Sequence, residues 1–143
     1  MSLRDRVAAW APAVVWALVI FFMSTEEMSA ARTRSWIEPI VRFFLPSLSE
    51  ASFGLVHAVV RKLAHVAEYF ALALLVDRGW RQGSMLSPAR APLAAFAVAA
   101  LYSLSDEWHQ TFVAQRTASL LDCGWDSLGA ALAARLASWR TYL

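Results

Sequence analysis

Four long apolar stretches, separated by polar and charged segments, dominate the chain. They cover about residues 7–23, 53–76, 92–108 and 119–139. A helix needs ~20 mostly apolar residues to cross a bilayer, with a range of roughly 17–25, and the four stretches are close to that length. A backbone inside lipid must satisfy its own hydrogen bonds, as a helix does. The pattern therefore predicts an all-α membrane protein, a bundle of about four transmembrane helices forming one domain over residues 1–143.

The connections between these stretches differ in character. Residues 24–51 form a long mixed connection, and residues 36–48 within it are apolar but too short to cross a membrane. We expect them to form an interfacial or re-entrant segment with its aromatic side chains near the lipid head groups. Residues 77–91 contain Gly, Ser and Pro, which are typical of a loop. Residues 110–118 are expected to form a short turn.

Composition supports a membrane location. The chain is 59% hydrophobic and 17% charged, whereas soluble domains are about 45–50% apolar and about 25% charged. The net charge of +2, with no Lys/Arg cluster, argues against nucleic acid as a partner. The single cysteine, Cys123, excludes an internal disulfide. The lipid bilayer is the partner that the composition predicts, and protein partners remain unassigned.

Arginine placement predicts the orientation, because short cytoplasmic loops are enriched in Lys and Arg. The residues on the predicted cytoplasmic side are Arg4, Arg6, Arg78, Arg81, Arg90, Arg135 and Arg140. The other side carries nearly as many, namely Arg32, Arg34, Arg42, Arg61, Lys62 and Arg116, so it is the short loops that favour this orientation. We therefore expect both termini to be cytoplasmic. Arg4 and Arg6 before an apolar run also fit a signal peptide. The run is longer than a usual signal-peptide core, which favours a retained first span.

Polar side chains recur at helical spacing on three of the predicted spans. The stripes are Lys62, His65, Glu68 and Tyr69; Ser103, Asp106, Glu107 and Gln110; and Ser119, Asp122, Asp126 and Gly129. An ionisable residue at mid-helix costs ~2.5–3.5 kcal/mol on insertion scales, so such residues usually face other helices or a cavity. With four spans, all three stripes lie at the outer end of the bundle. We expect them to converge, with Gly129 allowing a neighbouring helix to approach closely.

The segments "RKLAHVAEY" and "SDEWHQTFVAQRTASLLDCGWDSLGA" resemble the VanZ-like family of small membrane proteins. The first block of the family pattern is K-x-x-H-x-x-E-Y. The matching positions are Lys62, His65, Glu68, Tyr69, Glu107, Gln110, Phe112, Arg116, Asp122 and Gly129. The chain departs from the pattern at Asp126, where the family usually has Asn. This change adds a charge or a possible metal ligand.

The resemblance implies a multi-pass protein of the bacterial inner (cytoplasmic) membrane with about four spans. It also implies a link to resistance to teicoplanin, a lipoglycopeptide that targets cell-wall precursors. The resemblance supplies no biochemical activity, so the chemistry must be argued from the residues.

Three classes of function are compatible with the residues. The first is a site that binds or moves an amphiphile with an anionic head, such as a lipid-linked envelope precursor. Its candidate ligand-binding residues are Lys62, Tyr69, Asp106, Gln110, Arg116 and Asp126. Arg116 is further expected to pair with Glu107 at the mouth of this site. Arginine would suit a phosphate or carboxylate because its planar fork can bind either group through two hydrogen bonds.

The second class is an enzyme that acts on a lipid head group, with or without a metal ion. The candidate catalytic residues are His65, Glu68, Glu107 and Asp122, which could run acid–base steps or bind a divalent ion. No established metal or nucleophile motif is present, and the sequence assigns neither a metal nor a cofactor. The third class is a structural or partner-binding membrane protein.

Overall fold

The protein is described by a computed structural model that covers residues 2–83, 86–114, 116 and 118–141. Every regular element among these residues is helical, which confirms the predicted all-α class. The elements are α1 (Leu3–Met23), a short 3-10 helix (Glu26–Met28), α2 (Ala30–Phe44), α3 (Glu50–Gln82), α4 (Ala91–Gln110) and α5 (Leu120–Thr141).

Helix α3 is the centre of the bundle. It packs against α1, α4 and α5, and α4 also packs against α5. Two contacts fix α1 antiparallel to α3. The indole N–H of Trp16 donates to the Glu68 carbonyl oxygen at 2.9 Å, and Arg78 donates to the Ala9 carbonyl oxygen at 3.2 Å. The first turns of α1 therefore lie beside the last turns of α3, at the end opposite the polar stripes.

Small residues allow the helices to approach closely. A Cβ atom at Gly129 of α5 would lie 2.1 Å from the carbonyl oxygen of Val66 in α3, far inside van der Waals contact. The expected role of Gly129 is thus confirmed. Alanines fill much of the core between the helices: Ala13, Ala73, Ala95, Ala99, Ala130 and Ala133 are buried. This packing brings the polar stripes of α3, α4 and α5 within hydrogen-bonding range.

Large apolar side chains face outward. Leu63 of α3 is 63% exposed, and Leu18 and Leu101 are similarly exposed on α1 and α4. Among the described residues, only α1 is long and apolar enough to cross a membrane by length and composition, and a signal sequence can meet the same test. The other long helices carry the polar stripes, which lower their hydropathy.

Helix α3 is longer than the apolar stretch at 53–76. It continues to Gln82, so residues 77–82, predicted to be part of a loop, are helical. Two contacts stabilise the extra turns. Arg81 Nε donates to Asp77 Oδ2 at 2.7 Å across one helical turn, and Gly79 packs directly against the ring of Trp10. Neither contact follows from the local Gly, Ser and Pro content.

The predicted interfacial segment is a helix, α2, which begins earlier and ends earlier than residues 36–48. Its charged face is ordered by Glu38, which accepts hydrogen bonds from Arg34 at 3.1 Å and from Arg42 at 2.7 Å. Its other face exposes aromatic rings, with Phe43 81% and Phe44 73% exposed. Helix α2 is therefore amphipathic, and it packs mainly on the beginning of α3.

Candidate functional site

The three polar stripes meet at one buried carboxylate. Asp126 of α5 is 1% exposed. Its Oδ1 lies 3.1 Å from Nδ1 of His65 on α3, and its Oδ2 accepts a hydrogen bond of 2.6 Å from the hydroxyl of Ser103 on α4. An ionised carboxylate can only accept, so this contact places the proton on Nδ1 and leaves Nε2 of a neutral ring as an acceptor.

The predicted cation Lys62 is held by an acid. Its Nζ forms an ion pair with Asp122 at the beginning of α5. This pair joins α3 to α5 one turn from the His65–Asp126 contact. Lys62 and Asp122 therefore form a fixed structural link at the end of the bundle, and neither lines the cavity described below.

The end of α4 holds two acids and an amide in a local network. Gln110 Nε2 donates to Asp106 Oδ2 at 3.0 Å, and Glu107 Oε2 accepts from the backbone N–H of Ser119 at 2.6 Å. The remaining oxygens, Asp106 Oδ1 and Glu107 Oε1, are buried without a hydrogen-bond partner among the described residues, as is the hydroxyl of Tyr69. Buried polar atoms of this kind normally bind water or a ligand.

A cavity of about 230 Å³ lies beside His65, between the end of α1, helices α2 and α3, and the segment after α4. Its polar lining consists of Ser24, Thr33, Arg61, His65, Glu68 and Arg116. Its apolar wall includes Met23, Met28, Trp36, Ile37 and Val60. Polar groups on one side and apolar side chains on the other suit an amphiphilic occupant.

Two arginines face this cavity without a carboxylate partner. Arg61 Nη1 donates to the carbonyl oxygen of Met28 and to Thr33 Oγ1, each at 3.2 Å. Arg116 donates through Nε to the carbonyl oxygen of Thr25 at 3.2 Å, and through Nη2 to that of Met23. Within the described residues, neither guanidinium has a carboxylate oxygen within 4.0 Å.

Burial disfavours the charged form of the cavity arginines. Arg116 is half-buried, and its desolvation lowers the pKa of the guanidinium from a value so high that the group stays protonated at neutral pH. Two half-buried guanidinium groups therefore share one small cavity with Glu68, and the carboxyl groups of Glu68, Asp106 and Glu107 act on Arg116 from beyond 4.0 Å.

Glu68 supplies a carboxyl group to the same cavity. It lies half-buried on the face of α3 that carries His65. Its side chain makes no hydrogen bond and no ion pair with another described residue. The group is thus free to exchange a proton with a bound molecule. No group of three or more His, Cys, Asp or Glu side chains in the described ranges is arranged to hold a metal ion.

The predicted ion pair between Arg116 and Glu107 is wrong. Arg116 instead reaches the carbonyl groups that follow α1, and Glu107 accepts a backbone N–H just before α5. The physical reason lies at the helix ends, where carbonyl and N–H groups have no partner inside the helix. Each charge satisfies one of these groups, which separates the two side chains. Arg116 therefore ties the segment after α4 to the end of α1.

Arg61 is the cavity residue that sequence reasoning did not assign to the site. Arg61 lies four residues before His65 and seven before Glu68, a spacing that places all three on one face of α3. This spacing could have identified Arg61 as a site residue from the sequence. Lys62 fits the motif, but it points toward α5. Ser24 and Thr33 come from the long connection, where no helical spacing links them to the stripes. Only the tertiary fold reveals their place.

Comparison with known proteins places the chain in a family. A family model described as VanZ/LLP1 matches residues 9–141. No curated protein and no solved structure matches the chain. The matched residues include the three stripes, the two cavity arginines and helix α2, so the family match covers the whole candidate site. The chain belongs to the VanZ/LLP1 family.

Proposed function

We propose that this protein is a multi-pass inner-membrane protein whose cavity binds the anionic head group of an amphiphile. One observation carries the proposal: Arg61 and Arg116, both half-buried, face one cavity of about 230 Å³ without a carboxylate within 4.0 Å among the described residues. The binding role first given to Lys62 passes to Arg61, since Lys62 is paired with Asp122.

The distribution of side-chain size supports a four-span arrangement of α1, α3, α4 and α5. Small residues lie between these helices, and large apolar residues lie outside, as in membrane bundles where close backbone packing drives association. A soluble monomer rarely exposes so much contiguous apolar surface. The exposed aromatic residues of α2 would then lie in the interface with the head groups. Arginine placement orients the termini toward the cytoplasm and the cavity toward the outer face.

The free donors of the two arginines suit a phosphate or a carboxylate. A guanidinium has five N–H donors. Arg61 uses Nη1 for its protein contacts, which leaves Nη2 and Nε for a ligand. Arg116 uses Nε and Nη2, which leaves Nη1. A cavity of this size holds a head group, while Trp36 and Val60 lead from it toward the lipid-facing surface where acyl or isoprenyl chains would lie.

Lipid binding by purified protein tests the proposal. The probe is dioleoyl phosphatidic acid in detergent micelles, compared with dioleoyl phosphatidylcholine, whose phosphate carries a balancing ammonium. We expect Arg61→Gln and Arg116→Gln each to weaken phosphatidic acid binding by about 10- to 100-fold, the equivalent of one charge-assisted hydrogen-bonding group at ~1.5–3 kcal/mol. The matched control is Arg90→Gln, because Arg90 is exposed in the loop before α4.

Equal affinity for the two lipids, or loss of affinity only in the control, would overturn the proposal. In cells, the family link to teicoplanin resistance predicts that the wild-type chain raises the inhibitory concentration. The Arg61→Gln/Arg116→Gln double variant should lose that protection at equal expression. Full protection by the double variant would favour a structural or partner-binding role instead.

A further inference from the structure

We propose that the cavity cleaves a terminal phosphoryl group from such an amphiphile, with His65 as the nucleophile. The inference rests on the proposed function, because the phosphoryl group must first bind to Arg61 and Arg116. It goes further in assigning a reaction and a role to each residue. The observation that carries it is the His65–Asp126 contact at the wall of the anion cavity.

Asp126 fixes the chemistry of the imidazole. It is 1% exposed, and Ser103 holds its second oxygen at 2.6 Å, so the carboxylate cannot turn away. Its contact with Nδ1 at 3.1 Å holds the ring in the tautomer that leaves Nε2 unprotonated. Nε2 makes no hydrogen bond with another described residue, and the ring lines the cavity. A carboxylate behind an imidazole also stabilises the positive ring that forms when Nε2 attacks.

The other nucleophilic side chains at the cavity are engaged elsewhere. The Ser24 hydroxyl donates to the carbonyl oxygen of Ile20 at 3.0 Å, and the Thr33 hydroxyl donates to that of Ser29 at 2.9 Å. The Thr33 hydroxyl also lies 3.2 Å from Nε2 of His57, and the Ser24 hydroxyl is within hydrogen-bonding reach of the Asp106 carboxyl group. Among the described residues that line the cavity, His65 combines a ring nitrogen without a protein contact and a carboxylate that positions the ring.

Arg61, Arg116 and Glu68 complete the arrangement. The two guanidiniums would bind the equatorial oxygens of the transferring phosphoryl group, where negative charge is spread in the transition state. Glu68 lies on the face of α3 shared with Arg61 and His65, and its side chain makes no hydrogen bond or ion pair with another described residue. It is therefore placed to move the one proton that the reaction requires.

The reaction has two balanced steps. In the first, the Nε2 lone pair of His65 forms a bond to phosphorus while the bond from phosphorus to the bridging oxygen breaks. The departing oxygen keeps that electron pair and takes the proton of the Glu68 carboxyl group. In the second, water attacks the phosphorylated histidine, Glu68 accepts a proton from the water, and Nε2 recovers its electron pair. The products are the dephosphorylated amphiphile and inorganic phosphate.

The test measures phosphate release and trapped phosphoenzyme on the full-length protein in micelles. The probes are farnesyl diphosphate labelled at its terminal phosphate, dioleoyl phosphatidic acid, and p-nitrophenyl phosphate as a head group without a long tail. We expect the His65→Gln variant to release no phosphate from either lipid above the rate without protein, because it lacks the nucleophile. Phosphate release from p-nitrophenyl phosphate should be slower than from the lipids, because this probe has no long chain to contact the apolar wall of the cavity.

Labelled protein should carry the acid-labile, alkali-stable adduct of phosphohistidine. Glu68→Gln should accumulate this adduct with farnesyl diphosphate, whose phosphate leaving group needs little help from an acid, because removal of the adduct by water is slowed. Asp126 acts through the ring, so Asp126→Asn should keep lipid affinity while labelling falls. His109→Gln is the matched control, since His109 packs on Phe21 away from the cavity lining, and it should retain wild-type release.

The outcomes separate the two proposals. Phosphatidic acid binding that depends on both arginines, without phosphate release or labelling, would overturn this reaction and leave the binding function standing. Release without a histidine adduct, or release that persists in His65→Gln, would overturn the nucleophilic role. Absence of binding to any anionic lipid would overturn both proposals.

Discussion

Replacing Gly129 with alanine should separate α3 from α5 and disrupt the candidate site. The added Cβ would lie 2.1 Å from the carbonyl oxygen of Val66, and ordinary contact begins near 3.4 Å. The helices must therefore move apart by about 1.3 Å, the difference between these two distances. The atom in the way belongs to a helix backbone, so no side-chain rotation relieves the clash.

The size of the effect follows from two opposing terms. Inserting one carbon into a packed interface costs ~1–3 kcal/mol, and a rigid backbone neighbour favours the upper end of that range. Alanine regains about 1 kcal/mol of helix propensity over glycine. The net loss of stability is therefore about 2 kcal/mol, which corresponds to a fall in Tm of about 4–8 °C for a chain of this size.

Gly124 provides the matched control on the same helix, because a Cβ there has nothing within 4 Å. Gly124→Ala should leave Tm unchanged or raise it through helix propensity. Thermal unfolding in detergent of both variants, followed by circular dichroism, measures the difference. Phosphate release should fall only in Gly129→Ala, since the separation lengthens the His65–Asp126 contact. Equal Tm values for the two variants would refute the proposed close approach.

Three further predictions concern the ends of the bundle. A double-mutant cycle on Lys62→Ala and Asp122→Ala should give a coupling energy of about 1 kcal/mol or more, and strictly additive losses would contradict the ion pair. Hydrogen bonding from Arg42 lowers the pKa of Glu38, so the stabilisation that Glu38 provides is complete above its unfolded pKa of about 4.3 and is lost as the pH falls through the lower folded value. The stability difference between wild type and Glu38→Gln should therefore disappear in acid, whereas a difference that persists to low pH would exclude the charge as its cause. Gly83→Cys, in a background without the native cysteine, should resist membrane-impermeant labelling from outside intact cells, and labelling there would reverse the proposed orientation.

The sequence was sufficient to predict the all-α class, the approximate positions of the long helices and the convergence of the three stripes. Hydrophobic periodicity depends on local composition, and so does the spacing that puts His65 and Glu68 on one face of α3. The contact of His65 and Ser103 with Asp126 follows once the helices alternate in direction. The stripes could therefore be predicted to meet without knowledge of any side-chain position.

The details of the site depended on tertiary contacts that periodicity does not encode. Arg61 and Lys62 are adjacent, and only the packing of α2 and α5 on opposite sides of α3 assigns one to the cavity and the other to Asp122. Arg116 was predicted to pair with Glu107, but it donates instead to carbonyl groups at the end of α1, which have no partner inside the helix. Helix α3 continues through residues 77–82, which were predicted to be a loop, and there Gly79 packs against the ring of Trp10.

An experimental structure of the protein with dioleoyl phosphatidic acid in lipid nanodiscs tests the central claim most directly. The account predicts phosphate oxygens within roughly 3 Å of guanidinium nitrogens of both Arg61 and Arg116, the range of charge-assisted hydrogen bonds. It also predicts the Glu68 carboxyl group beside the phosphate and acyl chains that leave past Trp36. A phosphate bound at Lys62, with the Lys62–Asp122 pair broken and the cavity filled by side chains, would contradict the account.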